Sequence, residues 1–338
     1  MKLKKLFAGI VAVAMMATMA IPVFATMPDP SKIPVDGRNF TITKTYNVTG
    51  TAPDEDFELI QTKASASKTS ITDFTTNAAY DLTIGKASHT NGASGAVTTG
   101  FDVTLPNYGN HPGIYTYTLK EKNNGTAGVT YDPNEYTLTV YAIQAMAEDD
   151  LTAVNDLTYR VRLDVKGATE GSDNYKLTGL TNTYTSGTIK VTKKVKGNLA
   201  DRDKTFSFKA TFSGTENMKG SIMVNNAPIS LTNNEYPFNL KHGQSIEFTN
   251  VPTGVTAIVS ELNADGRAVA AGGLNDTYTV TYDTVAKDNN VEVTVTNDSN
   301  EHVDTGVILD NAPYIALLTI VAAGAVVMIM KKRRNYED

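Results

Sequence analysis

The 338-residue sequence contains no cysteine and no tryptophan, only four histidines, and no block of basic residues outside its two ends. Without thiols the chain builds no disulfide scaffold, iron–sulfur cluster, thiolate zinc site or cysteine nucleophile. The histidines, His89, His111, His242 and His302, lie far apart and form no i, i+4 pair, so no metal site is expected and no cofactor is implied. The acidic run Asp54 to Glu58 lacks the spaced ligands and glycine of a calcium loop and reads as a solvated turn. A formal net charge of -6 with no internal basic stretch excludes nucleic acid as a partner. What is present is length for two domains, each large enough to bury a core.

Both ends carry addresses. Lys2, Lys4 and Lys5 form a basic start, Leu6 to Ala20 an apolar stretch, and Val23-Phe24-Ala25 a small-residue cleavage site, so residues 1–25 read as a signal peptide for export. At the other end an apolar span, 312–330, is closed by Lys331-Lys332-Arg333-Arg334 at the head of a basic tail, 331–338, whose charge holds it on the cytoplasmic side. Pro313 to Met330 makes a helix of about 27 Å, just short of the roughly 30 Å hydrocarbon core, which suits a temporary hold. The preceding stretch Glu301 to Val307, "EHVDTGV", resembles a sortase sorting signal with its motif at 302–306. Val303, Thr305, Gly306 and Val307 match the Val-Pro-Thr-Gly-Val variant of some pilins, with Asp304 in place of the proline. That resemblance implies that a sortase attacks the Thr305 carbonyl and releases everything from Gly306 onward. The product, Thr26 to Thr305, has a formal charge near -10, because the leader removes three positive charges and the tail a net one. An acidic surface of this kind suits an extracellular ectodomain.

Between the ends, short alternating runs rich in Thr, Val and Tyr are separated by Gly, Pro, Asn and Asp clusters, the pattern of all-β sandwiches. Phe40–Val48, Gly113–Glu121, Tyr136–Ile143, Gly187–Val195 and Val291–Asp298 are the clearest strands. The motif of a Thr-Lys strand ending near a glycine occurs twice, at "FTITKTYNVTG" and "GTIKVTKKVKG", and a boundary is expected at Thr185-Ser186-Gly187. The expectation is two tandem immunoglobulin-like β-sandwich domains, 26–185 and 186–300, flanked by the signal peptide and a sorting segment, 301–338.

Residues two apart share a face of a strand. That rule puts Lys44 among Phe40, Ile42, Tyr46 and Val48, Glu121 with Tyr115, Tyr117 and Leu119, and Asn182 with Leu180. The second half repeats the series: Lys193 among Ile189, Val191 and Val195, Glu261 with Val255, Ala257 and Val259, and Asn297 with Val291, Val293 and Val295. Lys190, Lys194 and Lys196 turn the other way. An unpaired buried charge is expensive, so pairing or neutralisation is required. One reading is a buried ion pair with a hydrogen-bonded Asn. The other is an intramolecular isopeptide bond. Burial lowers an amine's pKa and raises a carboxyl's, so both can be neutral; the amine attacks the Asn carboxamide while the acid polarises its carbonyl and relays protons as ammonia leaves.

Signal peptide, two β-domains each with Thr-Lys, an inward Glu and a terminal Thr-Asn, and the Thr-Gly signal together resemble the Gram-positive, sortase-assembled major (backbone) pilins of the streptococcal two-domain type, over essentially the whole chain. The resemblance implies Lys44–Asn182 and Lys193–Asn297 bonds assisted by Glu121 and Glu261, closing loops of 139 and 105 residues counted inclusively. By analogy with disulfides each closure is worth roughly 4–5 kcal/mol. Tension crossing such a bond leaves the intervening chain, roughly 450 Å if extended in the first domain, in place. The resemblance also implies an acceptor lysine shortly before the bonding Asn of the first domain, where Lys176 stands and Lys166 competes. Its implied partners are sortase, neighbouring copies of the same chain, accessory tip and base pilins and cell-wall peptidoglycan, on the surface of a Gram-positive cell. A monomeric wall-anchored adhesin is the nearest alternative. A secreted hydrolase is a third, without a nucleophile–base constellation to support it.

Overall fold

The computed structural model describes residues 32–90, 92, 94–146, 153–282 and 291–299. The leader, the sorting segment, Thr305 and Gly306 lie outside the described residues.

In the first half, β1 (Asn39–Thr49), β2 (Leu59–Ser67), β3 (Gly95–Thr104), β4 (Gly113–Glu121), β5 (Glu135–Met146) and β6 (Ala153–Val165) precede a long strand, β7 (Gly179–Lys196). β1 lies antiparallel to β3 and parallel to β7, and the second sheet runs β6-β5-β4-β2. Alternation makes one face of each strand apolar. Ile42, Phe101 and Leu180 from one sheet and Tyr115, Leu138 and Val161 from the other meet in a single core.

The second half adds β8 (Phe206–Ser213), β9 (Glu235–Leu240), β10 (Ser245–Pro252), β11 (Thr256–Leu262), β12 (Tyr278–Tyr282) and β13 (Val291–Asp298). Its sheets run β10-β7-β13-β12 and β9-β8-β11 around a separate core that includes Ile189, Phe208 and Val293. Apart from one 3-10 turn at Ala78–Tyr80, the described residues thus form an all-β fold, two immunoglobulin-like sandwiches in tandem.

The sequence reading placed one strand closing before Thr185 and another opening after it. The structure instead has one strand of 18 residues, β7, that serves both sandwiches. What changes at the boundary is phase. Leu180, Asn182 and Tyr184 are buried in the first core, then Ser186 and Gly187 are buried in succession, and Ile189, Val191, Lys193 and Val195 are buried in the second. The pairing with β10 shifts register between Gly187 and Ile189, which absorbs the extra residue. Space is tight here: a Cβ on Gly50, which has φ +98, would fall 1.9 Å from Ser186 Oγ.

The junction also carries polar contacts. Asn250 Oδ1 accepts from Thr51 N (3.1 Å) and Ser186 Oγ (2.9 Å), and Ala127 N and Gly128 N donate to Asn217 O and Thr253 O, each at 3.0 Å. The acidic run from Asp54 is not a solvated turn. Glu55–Phe57 forms a short ribbon with Ala87–His89, and the buried Glu55 carboxylate accepts from Thr126 Oγ1 (2.8 Å), Tyr131 OH (2.9 Å), Asn124 Nδ2 (3.1 Å) and, across the junction, Lys219 Nζ (2.8 Å). Burial alone would raise this carboxyl, but the hydrogen bonds led by Lys219 outweigh it and hold the pKa below the ordinary 4.5.

A depressed folded-state pKa stabilises above the unfolded value and is lost as pH falls through the folded one. Lys219→Ala is therefore expected to cost about 1–2 kcal/mol at neutral pH, less than a fully buried pair because the lysine is partly solvated. Denaturation of the ectodomain at pH 7 and below pH 4 checks this: the penalty should shrink in acid, and a pH-independent penalty would contradict the ionic clamp.

Candidate functional site

Two side-chain clusters of identical composition lie one in each core. Lys44, Glu121 and Asn182 are 0%, 3% and 1% exposed, and Lys193, Glu261 and Asn297 are all at 0%, a degree of burial that ordinary Lys and Glu do not tolerate alone. The backbone sets both up in the same way. In the parallel pair β1–β7, Lys44 stands opposite Leu180 and Tyr46 opposite Asn182; in the parallel pair β7–β13, Lys193 stands opposite Val295 and Val195 opposite Asn297. Each lysine thus reaches diagonally to an asparagine two positions along its neighbour, while the glutamate comes from the facing sheet, at the end of β4 or on β11 beside Phe208.

In the first cluster Lys44 Nζ donates to Glu121 Oε1 at 2.6 Å and Asn182 Nδ2 donates to the same oxygen at 2.9 Å. The Asp132 main-chain N–H donates to both Glu121 Oε2 (3.0 Å) and Asn182 Oδ1 (2.9 Å). In the second, Lys193 Nζ donates to Glu261 Oε2 at 3.0 Å and to Asn297 Oδ1. Asn297 Nδ2 donates to Glu261 Oε1 at 2.7 Å, and Asn275 Nδ2 donates to that oxygen at 2.6 Å. Aromatic rings close the sites: Phe57 lies 4.7 Å from Lys44 Nζ and Phe206 4.3 Å from Lys193 Nζ.

This enclosure sets the charge states. Desolvation pushes the Lys44 amine below its usual 10.5, against the opposing pull of Glu121 and Asp132. Desolvation likewise pushes Lys193 down to about 8, against Glu261. A proton moved from the ammonium to the touching carboxylate leaves a neutral amine and a neutral acid beside a carboxamide, the composition that amide exchange requires. The sequence reading had the glutamate polarising the Asn carbonyl. At the first cluster Glu121 instead faces the amide nitrogen, and the carbonyl oxygen faces the main chain at Asp132.

The neighbouring lysines point away. Lys194 and Lys196 are exposed, and Lys190 and Lys196 pair with Glu292 and Asp298. Lys176 sits just before β7 in the left-handed region, φ 55, with its N–H held by Asp164 Oδ1 at 2.8 Å. Buried Asp164 is itself gripped by Arg162 Nε at 2.7 Å. A non-glycine residue in that conformation is uncommon and concentrates at functional positions. Lys166, the competitor, is tied to Glu135 Oε2 at 2.5 Å.

Sequence reasoning missed Asp132, which arrives from a connection, and Asn275, which arrives from the two-residue strand Leu274–Asn275; alternation indexes neither. It also missed a third Lys–Glu–Asn set, Lys219, Glu55 and Asn124 at the junction. That set differs in electrostatics: the Lys219 side chain is 46% exposed and Glu55 is held in its charged form, so it remains an ion pair.

Residues 39–185 match the family described as the Spy0128-like isopeptide containing domain, and residues 187–299 match a domain of unknown function, DUF7601. A curated relative, a pilin of Streptococcus pyogenes serotype M1, is 31% identical over 274 residues, which cover 73% of this chain and 76% of that protein. Among solved structures, the major pilin of Streptococcus pyogenes aligns with TM-score 0.49 and 24% identity over 79% of this chain and 99% of its own. The T-13 major pilin of that species aligns at 0.45 and 21%, over 80% and 99%.

The lowered lysine value has a direct readout. With Asn297→Ala blocking any reaction, the Lys193 Cε resonance should titrate near 8, and stability should rise with pH between about 8 and 10.5, where the unfolded amine holds a proton that the folded one has lost. Titration near 10.5 would contradict the desolvated site.

Proposed function

Because this chain belongs to the family of the streptococcal major pilins and is a structural subunit of a cell-surface pilus, we propose that it is polymerised by sortase and stiffened by two self-generated isopeptide bonds. Lys44 joins Asn182 with Glu121 assisting, and Lys193 joins Asn297 with Glu261 assisting. The observation that carries this reading is the repetition: two fully buried Lys–Glu–Asn clusters, each on a parallel strand pair with the same two-residue offset. A stabilising ion pair needs no such repeated carboxamide, and burial disfavours its charges. Each reaction occurs once per chain, converts amine and carboxamide to amide and ammonia, and removes the desolvation cost with the charges. The chain's chemistry is its own maturation, with no external substrate.

Polymerisation joins Thr305 of one subunit to a lysine of the next, and Lys176 is the proposed acceptor. Its left-handed backbone, held by Asp164, supports that choice over Lys166. The proposed partners are therefore sortase and further copies of this chain, with accessory pilins and peptidoglycan at the fibre ends. The segments residues 1–25 and 301–338 would serve export and sorting, and 26–185 and 186–300 would be the two structural units.

Load geometry follows from these positions. Tension entering at Lys176 passes up β7 through Asn182 to Lys193, crosses to Asn297 and leaves at Thr305. The second bond then lies in the load line and shields about 105 residues, whereas the first lies beside it and guards its sandwich against thermal and proteolytic opening.

Three outcomes are expected. Boiled cell-wall extracts should give a ladder of multimers on SDS gels that collapses with Thr305→Ala or Lys176→Arg; a wall-linked monomer in the wild type would favour the adhesin reading. Glu121→Ala and Glu261→Ala should each remove one branched Lys–Asn peptide from a digest of denatured protein. Pulled between position 176 and the C-terminal end, Glu261→Ala should extend by roughly 350 Å at about 3.3 Å per residue while Glu121→Ala stays inextensible; equal behaviour of the two would contradict the load path.

A further inference from the structure

We propose that the main-chain N–H of Asp132 is the electrophilic group of the first bond-forming site: it polarises the Asn182 side-chain carbonyl and stabilises the charge on Oδ1 in the tetrahedral intermediate, leaving Glu121 to move protons. This rests on the isopeptide reading above.

The geometry assigns the roles. A main-chain N–H only donates, so the atom of Asn182 that faces it at 2.9 Å is the oxygen, and the nitrogen must face Glu121. The Asn orientation is therefore fixed by a group that cannot accept. The carboxyl that touches both Lys44 Nζ (2.6 Å) and Asn182 Nδ2 (2.9 Å) through one oxygen is placed between the attacking and the leaving nitrogen. Its other oxygen is held at 3.0 Å by the same Asp132 N–H. Preorganised backbone donors aimed at a developing oxyanion in a water-excluded site are among the largest contributions to acyl transfer.

The local sequence holds that N–H in place. Asp132 precedes Pro133, and its side chain accepts from Asn134 N (2.9 Å, Oδ1) and Tyr136 OH (2.6 Å, Oδ2), so both carboxylate oxygens are engaged in fixing the turn. The turn joins the short strand Val129–Thr130, which pairs with β7 at Thr183 and Tyr184, to β5. It is thereby anchored to the strand that carries Asn182.

The balance is closed. From the neutral pair, Lys44 Nζ bonds to Asn182 Cγ, and Oδ1 takes the charge against Asp132 N–H. Glu121 gives its proton to Nδ2 as the Cγ–Nδ2 bond breaks, and recovers one from Nζ. Ammonia leaves, and no net proton is consumed. The second cluster is equipped differently, since Asn297 Oδ1 faces Lys193 Nζ and the added donor on Glu261 is the Asn275 side chain.

The test uses Asp132→Pro, which deletes the N–H, and Asp132→Asn, which keeps it while removing the carboxylate. Full-length chains are pulse-synthesised, translation is stopped, and aliquots are denatured and digested over time. The Lys193–Asn297 branched peptide serves as the clock within each chain. Asp132→Pro should slow appearance of the Lys44–Asn182 peptide by about 100- to 1,000-fold relative to that clock, and Asp132→Asn should not slow it. Wild-type timing in a protease-resistant Asp132→Pro protein, or equal slowing in both variants, overturns the proposal. Absence of both branched peptides from the wild type would instead remove the reading beneath it. Should Asp132→Pro leave the first sandwich protease-sensitive, the unreacted Lys44→Met chain decides: a scalar coupling between Asp132 15N and Asn182 13Cγ across the hydrogen bond supports the assignment, and its absence from a folded, resolved spectrum overturns it.

Discussion

The cost of enclosing an ammonium and a carboxylate in apolar cores governs this molecule. Lys44 and Lys193 are shut off from bulk solvent because strands supply Ile42, Tyr46, Val191 and Val195 around them and aromatic rings cover the amines. A charged pair there is held at the expense of several kcal/mol of desolvation per ion, only partly offset by mutual attraction. The depressed lysine values express that strain, and neutralisation relieves it. The junction set, Glu55 with Lys219, is the contrast: one partner keeps its contact with water, and the ions persist. Under the proposed maturation, identical residue types would therefore meet two fates, decided by solvent access.

β7 is where the two halves become one device. Its even-numbered side chains up to Tyr184 enter the first core and its odd-numbered ones from Ile189 the second, so the strand presents Asn182 to one cluster and Lys193 to the other. The eleven steps between them span about 36 Å of extended backbone. Both covalent staples of the proposed mature subunit thus share one strand, with no flexible linker between them. Gly50 permits the close approach beside Ser186, and Asn250 and Glu55 bridge the two halves with hydrogen bonds.

Much of this was legible in the sequence because strand periodicity is binary. Once Phe40, Ile42, Tyr46 and Val48 are taken as inward, Lys44 has no other direction, and the same holds for Lys193 and Asn297. Repetition of the pattern in two halves turned a coincidence into an expectation. Periodicity does not reveal the direction of a main-chain N–H in a turn, which is why Asp132 was invisible. Nor does it reveal whether two strands are joined end to end; Thr185-Ser186-Gly187 read as a boundary between two strands, whereas Ser186 and Gly187 serve as the phase shift of one strand. Glu55 was misread because an acidic run has no internal sign of which member is buried: only the later fold brings Lys219 to it from 164 residues away.

The claim on which the rest depends is that folding itself converts the two clusters into amide bonds. Intact mass of the recombinant ectodomain, purified without any sortase, tests it most directly. The account predicts a mass lower than that of the sequence by two ammonia molecules. A protein at full sequence mass, folded and with both clusters enclosed, would contradict it.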